Sequence, residues 1–141
     1  METLPISLVV ITLNEEKNIQ RCLESASFCR EIIVVDSHSQ DQTVSIAEKC
    51  GARIFKRPFK GYRDQKQWAT DQATQPWVLS LDADECLSPR LARDIQNLFA
   101  TEPSFDAYRM PRMSYHLHRW ILHGGWYPDY QTRLFRKNKA Q

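Results

Sequence analysis

The chain has 141 residues, of which 42% are hydrophobic and 26% are charged, values typical of one soluble globular domain. This composition excludes collagen, low-complexity disorder and a disulfide-stabilised scaffold. The net charge of +2 is unevenly distributed, since residues 1–106 carry 12 basic and 16 acidic residues, whereas residues 107–141 carry seven basic residues and one acid. A basic segment of this kind suits an anionic membrane surface, nucleic acid, or simple exposure to solvent.

Strand and helix patterns alternate along the first hundred residues. Continuous apolar runs predict buried strands at 6–12, 31–35, 52–55 and 77–81. Spaced apolar residues after polar starts predict helices at 43–50, 62–73 and 88–99, and Ile19, Leu23 and Ala26 form the apolar stripe of a helix that follows Asn14. Asn14 is expected to cap the first helix, and Ser88 with Pro89 to open the fourth.

This alternation predicts an α/β fold with a mainly parallel sheet flanked by helices. In such sheets, ligands bind at the carboxyl ends of the strands. Polar clusters at 12–16, 36–41 and 82–85 directly follow the first, second and fourth predicted strands. We therefore expect three polar turns to converge on one edge of the sheet and to form a ligand site there.

The same turns carry features of a phosphate or metal site. No glycine precedes Gly51, which excludes a GxGxxG dinucleotide loop and a Walker A loop in the first unit. Asp82 and Asp84 stand two residues apart, so their carboxylates point the same way in an extended turn and suit Mg²⁺ or Mn²⁺. A solvated acidic turn is the alternative. Cys86 stands where a phosphoaspartyl phosphatase would have Thr or Val, which argues against that class. An EF-hand loop is excluded because no glycine follows at the required offset.

Three segments resemble the signatures of family 2 glycosyltransferases, which are inverting enzymes of the GT-A fold that use nucleotide-diphosphate sugars. They read TLNEE at 12–16, VVDSHSQDQT at 34–43 and LSLDADE at 79–85. Two further segments, GYRDQKQW at 61–68 and GGWYPDYQTRLFR at 124–136, are similar to bacterial β-1,4-glucosyltransferases of lipopolysaccharide core synthesis. The resemblance covers almost the whole chain and implies a Rossmann-like nucleotide-diphospho-sugar transferase fold.

The resemblance also implies residues for a UDP-sugar site and a metal site. By motif, the donor would be bound by Thr12, Asn14, Glu15, Asp36, Ser37, Lys66, Asp82, Arg133 and Arg136. Asp36 would face the base, most often uracil, with Ser37 standing where many members have a second acid. Asp84, together with Asp82, would hold Mg²⁺ or Mn²⁺. Exposure on a helix or strand surface is the alternative for Lys66 and the two arginines.

An inverting transfer needs a general base, which takes the proton of the acceptor hydroxyl while that oxygen attacks the anomeric carbon. Asp129 is the only acid after Asp106, and we predict that it is this base. A turn role or an ion pair with Arg133 is the structural alternative. Trp126 and Tyr127 are predicted to bind the acceptor by stacking on its sugar ring, with core packing as the alternative.

These observations predict a metal-dependent, inverting hexosyltransferase that moves glucose from a UDP-sugar to a saccharide acceptor. The acceptor is expected to be a saccharide or lipid-linked saccharide of lipopolysaccharide or another cell-envelope glycan, with no nucleic-acid partner. No signal peptide precedes the first strand, and no apolar run approaches the ~20 residues that span a bilayer. The chain is therefore expected to be cytoplasmic, with peripheral contact to the anionic inner face of the inner membrane. The alternatives are a sugar nucleotidyltransferase and a nucleotide-sugar-binding fragment or subunit without turnover.

As one GT-A-like domain, residues 1–141 are expected to contain a donor-binding half at 1–100 and the start of an acceptor-binding half at 101–141. The family resemblance implies a longer protein, so the chain is expected to be truncated and to transfer poorly or not at all. The four cysteines are expected to be free thiols, since no pair has the CxxC spacing.

Overall fold

The structure, a computed structural model, describes residues 2–111, 115–116, 119–120 and 130–139. The first elements are β1 (Leu4–Thr12), α1 (Ile19–Ser25), β2 (Cys29–Asp36), α2 (Thr43–Lys49), β3 (Arg53–Lys56), α3 (Tyr62–Asp71), β4 (Trp77–Asp82) and α4 (Pro89–Leu98). They are followed by β5 (Ala107–Pro111), β6 (Tyr115–His116), β7 (Arg119–Trp120), β8 (Tyr130–Arg136) and a 3₁₀ turn (Lys137–Lys139). The predicted alternation of strands and helices over the first hundred residues is confirmed.

Six strands form one sheet in the order β3-β2-β1-β4-β8-β5, and β6 pairs with β7 separately. Strands β1 to β4 are parallel to one another, whereas β8 runs antiparallel to both β4 and β5. The predicted fold class, a mainly parallel sheet flanked by helices, is confirmed. Because the strand direction reverses between β4 and β8, the start of β8 and the end of β4 face the same edge of the sheet.

Alternate side chains of β1 pack into different cores on the two faces of the sheet. Ile6, Leu8 and Val10 are buried on the face that α1, α2 and α4 cover. Val9 is buried on the opposite face, in one cluster with Ala69 of α3. Burial on both faces explains why this strand is a continuous apolar run. Each such side chain contributes about 1.5–3 kcal/mol when it is fully buried, so β1 anchors the sheet.

The helix starts show one departure from prediction and one agreement. Helix α1 begins at Ile19, and Asn14 does not cap it. Asn14 instead has a left-handed backbone with a φ of 53°, and its Oδ1 accepts a hydrogen bond from the Gln40 N–H. Helix α4 begins as predicted, because the Ser88 Oγ accepts a hydrogen bond from the Leu91 N–H at 3.1 Å.

The helices are short, with ten residues in each of α3 and α4. No helix in the described part of the chain combines the length and the apolar character that a membrane crossing requires. The four cysteines are free thiols. Cys22 and Cys29 are buried, and burial raises the pKa of both thiols.

Candidate functional site

Three strand ends meet at one edge of the sheet, as the polar turns predicted. Thr12 at the end of β1 pairs with Asp36 at the end of β2, and Ile11 pairs with Asp82 at the end of β4. A cavity of about 610 Å³ lies at this edge. It is lined by Ile11, Thr12, Leu13, Glu15, Ser37, Phe59, Tyr62, Lys66, Asp82, Ala83 and Asp84.

The charged lining of the cavity is mainly acidic. Glu15, Asp82 and Asp84 contribute carboxylates, and Lys66 is the one cation among the described residues of the lining. Lys66 Nζ lies 3.1 Å from Asp82 Oδ1. A diphosphate that entered the cavity would meet more negative than positive charge, and a further cation bound beside it would offset this repulsion.

The DxD carboxylates fit a cation that binds together with its ligand. Within the ranges that the structure describes, no group of three or more His, Cys, Asp and Glu side chains could hold a metal ion. Asp82 and Asp84 nevertheless both line the cavity. One or two carboxylates are what Mg²⁺ takes from a protein when substrate phosphates and water complete its coordination. These residues therefore suit a metal–diphosphate complex better than a metal held by the protein alone.

Asp36 is fully buried and lies behind the cavity wall. Its carboxylate accepts hydrogen bonds from the Thr12 hydroxyl at 2.8 Å, the Ser39 amide at 2.7 Å and the Ser39 hydroxyl at 2.6 Å. Asp36 thus fastens the second turn to the first, and its neighbour Ser37 lines the cavity instead. The expected contact between Asp36 and a base stays a prediction.

A buried glutamine of α3 orients Ser37. Gln65 Nε2 donates to Ser37 Oγ at 3.1 Å, and Gln65 Oε1 accepts from the Arg57 guanidinium at 2.8 Å. Because Ser37 accepts this hydrogen bond, its own O–H can donate into the cavity. The sequence does not reveal Gln65, because a polar residue within a helix pattern normally indicates the face turned to solvent.

The first two turns are bonded to each other through backbone amides and side-chain oxygens. Bonds of 2.8–3.2 Å join Asn14 to Ser39 and Gln40, Glu15 to Thr43, and Glu16 to Asp41 and Gln42. Asn14 does not line the cavity, whereas Glu15 both lines it and takes part in this network. The motif residues of these turns therefore build the loops as well as the cavity wall.

Three exposed apolar side chains stand at the mouth of the cavity, and we call Leu13, Phe59 and Tyr62 the rim. Their exposed fractions lie between 48% and 72%. The rings of Phe59 and Tyr62 meet edge to face, with centroids 5.0 Å apart. Gly61 shapes this loop with a φ of 115°, where any other residue would be strained. Exposed apolar groups that share one cavity suit a ligand with an apolar face, and the sequence motifs assign them no role.

The structure does not bring Arg133 to the cavity. Arg133 is buried, and its Nη2 lies 2.7 Å from Glu85 Oε2. Glu85 Oε1 in turn accepts a hydrogen bond from the Asp82 N–H at 2.8 Å. Burial, together with the nearby Asp82 and Asp84 charges, raises the pKa of the Glu85 carboxyl and outweighs the opposing effects of the Asp82 N–H and the Arg133 charge. Arg133, which was expected to bind the diphosphate, is thus part of an internal ion pair with Glu85.

Arg136 also lies away from the cavity, at the other end of β4. The antiparallel register pairs it with Trp77, five residues before Asp82, which places the two about 16 Å apart along an extended strand. Its guanidinium contacts Glu102 at 2.6 Å and Asp106 at 3.0 Å, and lies 4.5 Å from the Trp77 ring centroid. Arg136 therefore lies at the opposite end of the sheet from the cavity, and its contact with a diphosphate stays a prediction.

Asp129, Trp126 and Tyr127 lie outside the described residues, so the general base and the acceptor contacts stay predictions. The next residue after Asp129 is Tyr130, which begins β8. Because β8 is antiparallel to β4, its first residues lie near the edge of the sheet at which β4 ends.

Comparisons with known proteins place the chain among glycosyltransferases. The sequence profile of Glycosyl transferase family 2 matches residues 7–141. The lipopolysaccharide core biosynthesis glycosyltransferase LpsC of Rhizobium meliloti is 33% identical over 148 residues, which cover 98% of this chain and 53% of LpsC. An uncharacterized glycosyltransferase of Rickettsia conorii is 39% identical over 131 residues, which cover 92% of this chain and 44% of that protein. The chain spans about half the length of the curated relatives it matches.

A solved structure gives the same result for the fold. S. aureus TarS, residues 1–349 in complex with UDP, is similar with a TM-score of 0.53 and 26% sequence identity. The match covers 71% of this chain and 32% of that one. The predicted GT-A architecture is confirmed.

Proposed function

The chain belongs to glycosyl transferase family 2 and has the GT-A fold, and we propose that its cavity at the strand ends binds a UDP-sugar. One observation carries this proposal: the Asp82 and Asp84 carboxylates, the Lys66 ammonium and the apolar rim line a single cavity. A nucleoside diphosphate has the complementary parts, since it joins a flat base to a charged diphosphate. The UDP bound to TarS supports uracil as the base.

We propose that Asp84 and Asp82 hold Mg²⁺ or Mn²⁺ together with the diphosphate. A divalent cation bound there would offset the charge that develops on the leaving diphosphate. The excess of carboxylates in the cavity lining supports this assignment, because a diphosphate alone would be repelled. Lys66 would contact the diphosphate from helix α3.

The proposed reaction is the inverting transfer of a hexose, glucose, to a saccharide hydroxyl. Asp129 would take the proton of that hydroxyl while its oxygen attacks the anomeric carbon opposite the diphosphate. As the new bond forms, the bond from the anomeric carbon to the diphosphate breaks, and UDP leaves. Trp126 and Tyr127 would stack on the acceptor sugar. The course of β8 supports this arrangement, since Tyr130 follows Asp129 and the strand starts toward the Asp82 edge.

We propose a lipid-linked saccharide of lipopolysaccharide or another cell-envelope glycan as the acceptor. The likeness to LpsC supports this class of product, and the basic segment 107–141 suits the anionic cytoplasmic face of an inner membrane. Residues 1–100 would supply the donor-binding half, and residues 101–141 the first part of the acceptor-binding half.

Thermal-shift measurements on this chain test the donor site. We expect UDP to raise the Tm more with Mn²⁺ than with EDTA, and more than GDP, CMP or dTDP does. Asp84→Asn should lose the Mn²⁺-dependent part of the shift, whereas Asp94→Asn, which changes an exposed acid of α4, should keep it. If none of these nucleotides shifts the Tm, the proposal is refuted for this chain. Release of pyrophosphate from a nucleoside triphosphate and a sugar phosphate would indicate a nucleotidyltransferase instead.

A further inference from the structure

We propose that Glu85, held in place by Arg133, is a positioning residue that aims the Asp82 carboxylate into the cavity and fastens it to strand β8. The catalytic meaning of this inference rests on the proposed function, because that function makes Asp82 part of the donor site. The positions of Asp82, Glu85 and Arg133 are set by contacts within the protein.

The backbone of Asp82 is held at both its amide and its carbonyl. The Asp82 N–H donates to Glu85 Oε1 at 2.8 Å. The Asp82 carbonyl accepts hydrogen bonds from the Glu85 N–H at 2.9 Å and from the Cys22 thiol at 3.5 Å. Because the backbone is fixed in this way, only rotation of the Asp82 side chain can move its carboxylate relative to the cavity that it lines.

A buried ion pair sets the position of Glu85. The Glu85 and Arg133 side chains are 1% and 5% exposed, and their Oε2 and Nη2 atoms lie 2.7 Å apart. Arg133 Nη1 also donates to the Ser80 carbonyl at 3.4 Å, so the guanidinium joins β4 to the turn that follows it. Replacing both members of a buried pair by apolar residues is often neutral for stability, whereas removing one leaves an uncompensated charge. Stability alone therefore does not account for this pair, and a role in geometry does.

The pair also joins the two halves of the proposed chemistry. Arg133 belongs to β8, which starts at Tyr130, directly after Asp129, and runs antiparallel to β4. Glu85 belongs to the turn that carries the metal-binding carboxylates. Their contact therefore ties the donor site to the strand that follows the proposed base. Transfer depends on this registration, because a misplacement of about 1 Å between reacting groups can lower a rate roughly a hundredfold.

Hydrogen exchange of the ¹⁵N-labelled chain tests the geometry without any ligand. We expect the Asp82 amide to be protected in the wild-type chain and to exchange roughly tenfold faster or more in Glu85→Met, because its acceptor is lost. Arg133→Met should have the same effect, and Arg133→Lys should restore part of the protection. An unprotected Asp82 amide in the wild type, or equal exchange in wild type and Glu85→Met, would overturn the inference.

The double variant Glu85→Met/Arg133→Met separates positioning from stability and guards against a single variant that does not fold. It leaves no uncompensated charge, so we expect a Tm near that of the wild type. We also expect an unprotected Asp82 amide and a Kd for UDP with Mn²⁺ that is roughly tenfold weaker by calorimetry, as for other groups that orient metal ligands. If the double variant regains Tm, amide protection and affinity together, the pair is merely structural and the inference fails.

A matched control uses another ion pair of the same strand. Glu102→Gln breaks the exposed contact with Arg136 at the far end of β8 and should leave the amide protection and the Kd unchanged. The inference and the proposed function also fail separately. If the wild type binds no nucleotide, the proposed function fails, while the exchange data still decide the role of Glu85. If UDP binds the wild type and the double variant equally, the inference fails and the proposed function stands.

Discussion

Lys66 Nζ and Asp82 Oδ1 lie 3.1 Å apart, on α3 and β4 respectively, within the cavity at the strand ends. The side chains are 36% and 24% exposed, so solvent screens the pair and its contribution to stability is at most about 1 kcal/mol. The contact matters more for what it places side by side, a cation that can bind phosphate oxygens and a carboxylate that can bind a metal. When a donor binds, Lys66 would contact the diphosphate and Asp82 would contact the divalent cation.

We therefore expect Lys66→Met to weaken UDP binding and to leave the Tm of the free chain nearly unchanged. A hydrogen bond to a charged group contributes about 1.5 kcal/mol or more, so the Kd should rise roughly tenfold. Calorimetry with UDP and with uridine checks the cause, because uridine lacks the phosphates and its affinity should not change. Lys60→Met alters an exposed lysine outside the cavity lining and is the matched control. A UDP affinity unaffected by Lys66→Met would place the diphosphate elsewhere.

If the rim contacts the base, a change in the rim should weaken the binding of the base without weakening the binding of the diphosphate. Tyr62→Ala should weaken UDP binding, since stacking on an aromatic side chain contributes about 1–3 kcal/mol per base. The Mn²⁺-dependent binding of inorganic pyrophosphate should stay the same, because pyrophosphate has no base. Phe105→Ala removes another exposed aromatic ring, outside the cavity lining, and should change neither affinity. Equal losses for UDP and pyrophosphate would show that Tyr62 does not contact the base.

If Asp129 is the general base, as proposed, its loss should abolish transfer but not donor binding. Asp129→Asn should keep the affinity for the UDP-sugar and lower the rate of hexose transfer by about a hundredfold or more, the usual effect of a general base. Donor binding is measured by calorimetry and transfer by UDP release in the presence of acceptor. Asp106→Asn, which changes an exposed acid paired with Arg136, should retain both. Undiminished turnover in Asp129→Asn would exclude this residue as the base.

Glu31 makes the stability of the fold sensitive to acid. Burial raises the pKa of its carboxyl, but hydrogen bonds from Ser7, Thr74 and Arg53 outweigh burial and leave the pKa below the ordinary value of 4.5. A lowered pKa stabilises the folded state above the pKa of the unfolded chain, and this stabilisation is lost as the pH falls through the folded pKa. Glu31→Gln should therefore lower the free energy of unfolding at neutral pH and flatten its decline below pH 4.5.

Urea denaturation of both chains at neutral and acidic pH measures this effect of Glu31. Glu48→Gln, which changes an exposed acid of α2, should keep the pH dependence of the wild type. Parallel pH profiles for Glu31→Gln and the wild type would contradict the assignment.

Local sequence patterns predict the frame of the site well. Apolar runs that end in polar clusters mark the carboxyl ends of buried strands, and parallel pairing brings those ends together without further information. The predicted donor-site and metal-site residues that line the cavity are Thr12, Glu15, Ser37, Lys66, Asp82 and Asp84. What such a pattern does not distinguish is a ligand contact from a loop contact. Short polar side chains such as Asn14 and Asp36 can satisfy a neighbouring amide or hydroxyl equally well.

The positions of the two arginines depend on pairing over long sequence distances. Arg133 meets Glu85 across 48 residues, and Arg136 reaches Trp77 through the antiparallel register of β8. A shift of one residue in that register would turn each side chain to the other face of the sheet. The sequence motif gives both arginines the same predicted role, because nothing near them in the chain specifies the partner strand. The rim is likewise invisible in the sequence, since exposure of Phe59 and Tyr62 follows from the loop that Gly61 shapes.

The first and second turns hydrogen-bond to each other through the amides of residues 14–16, 40 and 42. This contact has a consequence for the thermodynamics of the proposed donor binding. Ordering of loops and side chains is one of the main costs of association, and these turns are already ordered. We expect donor binding to lose little conformational entropy, with a heat-capacity change set by the apolar area of the rim rather than by loop folding. The chain would then meet the entropic cost of ordering these turns once, when it folds, rather than each time a donor binds.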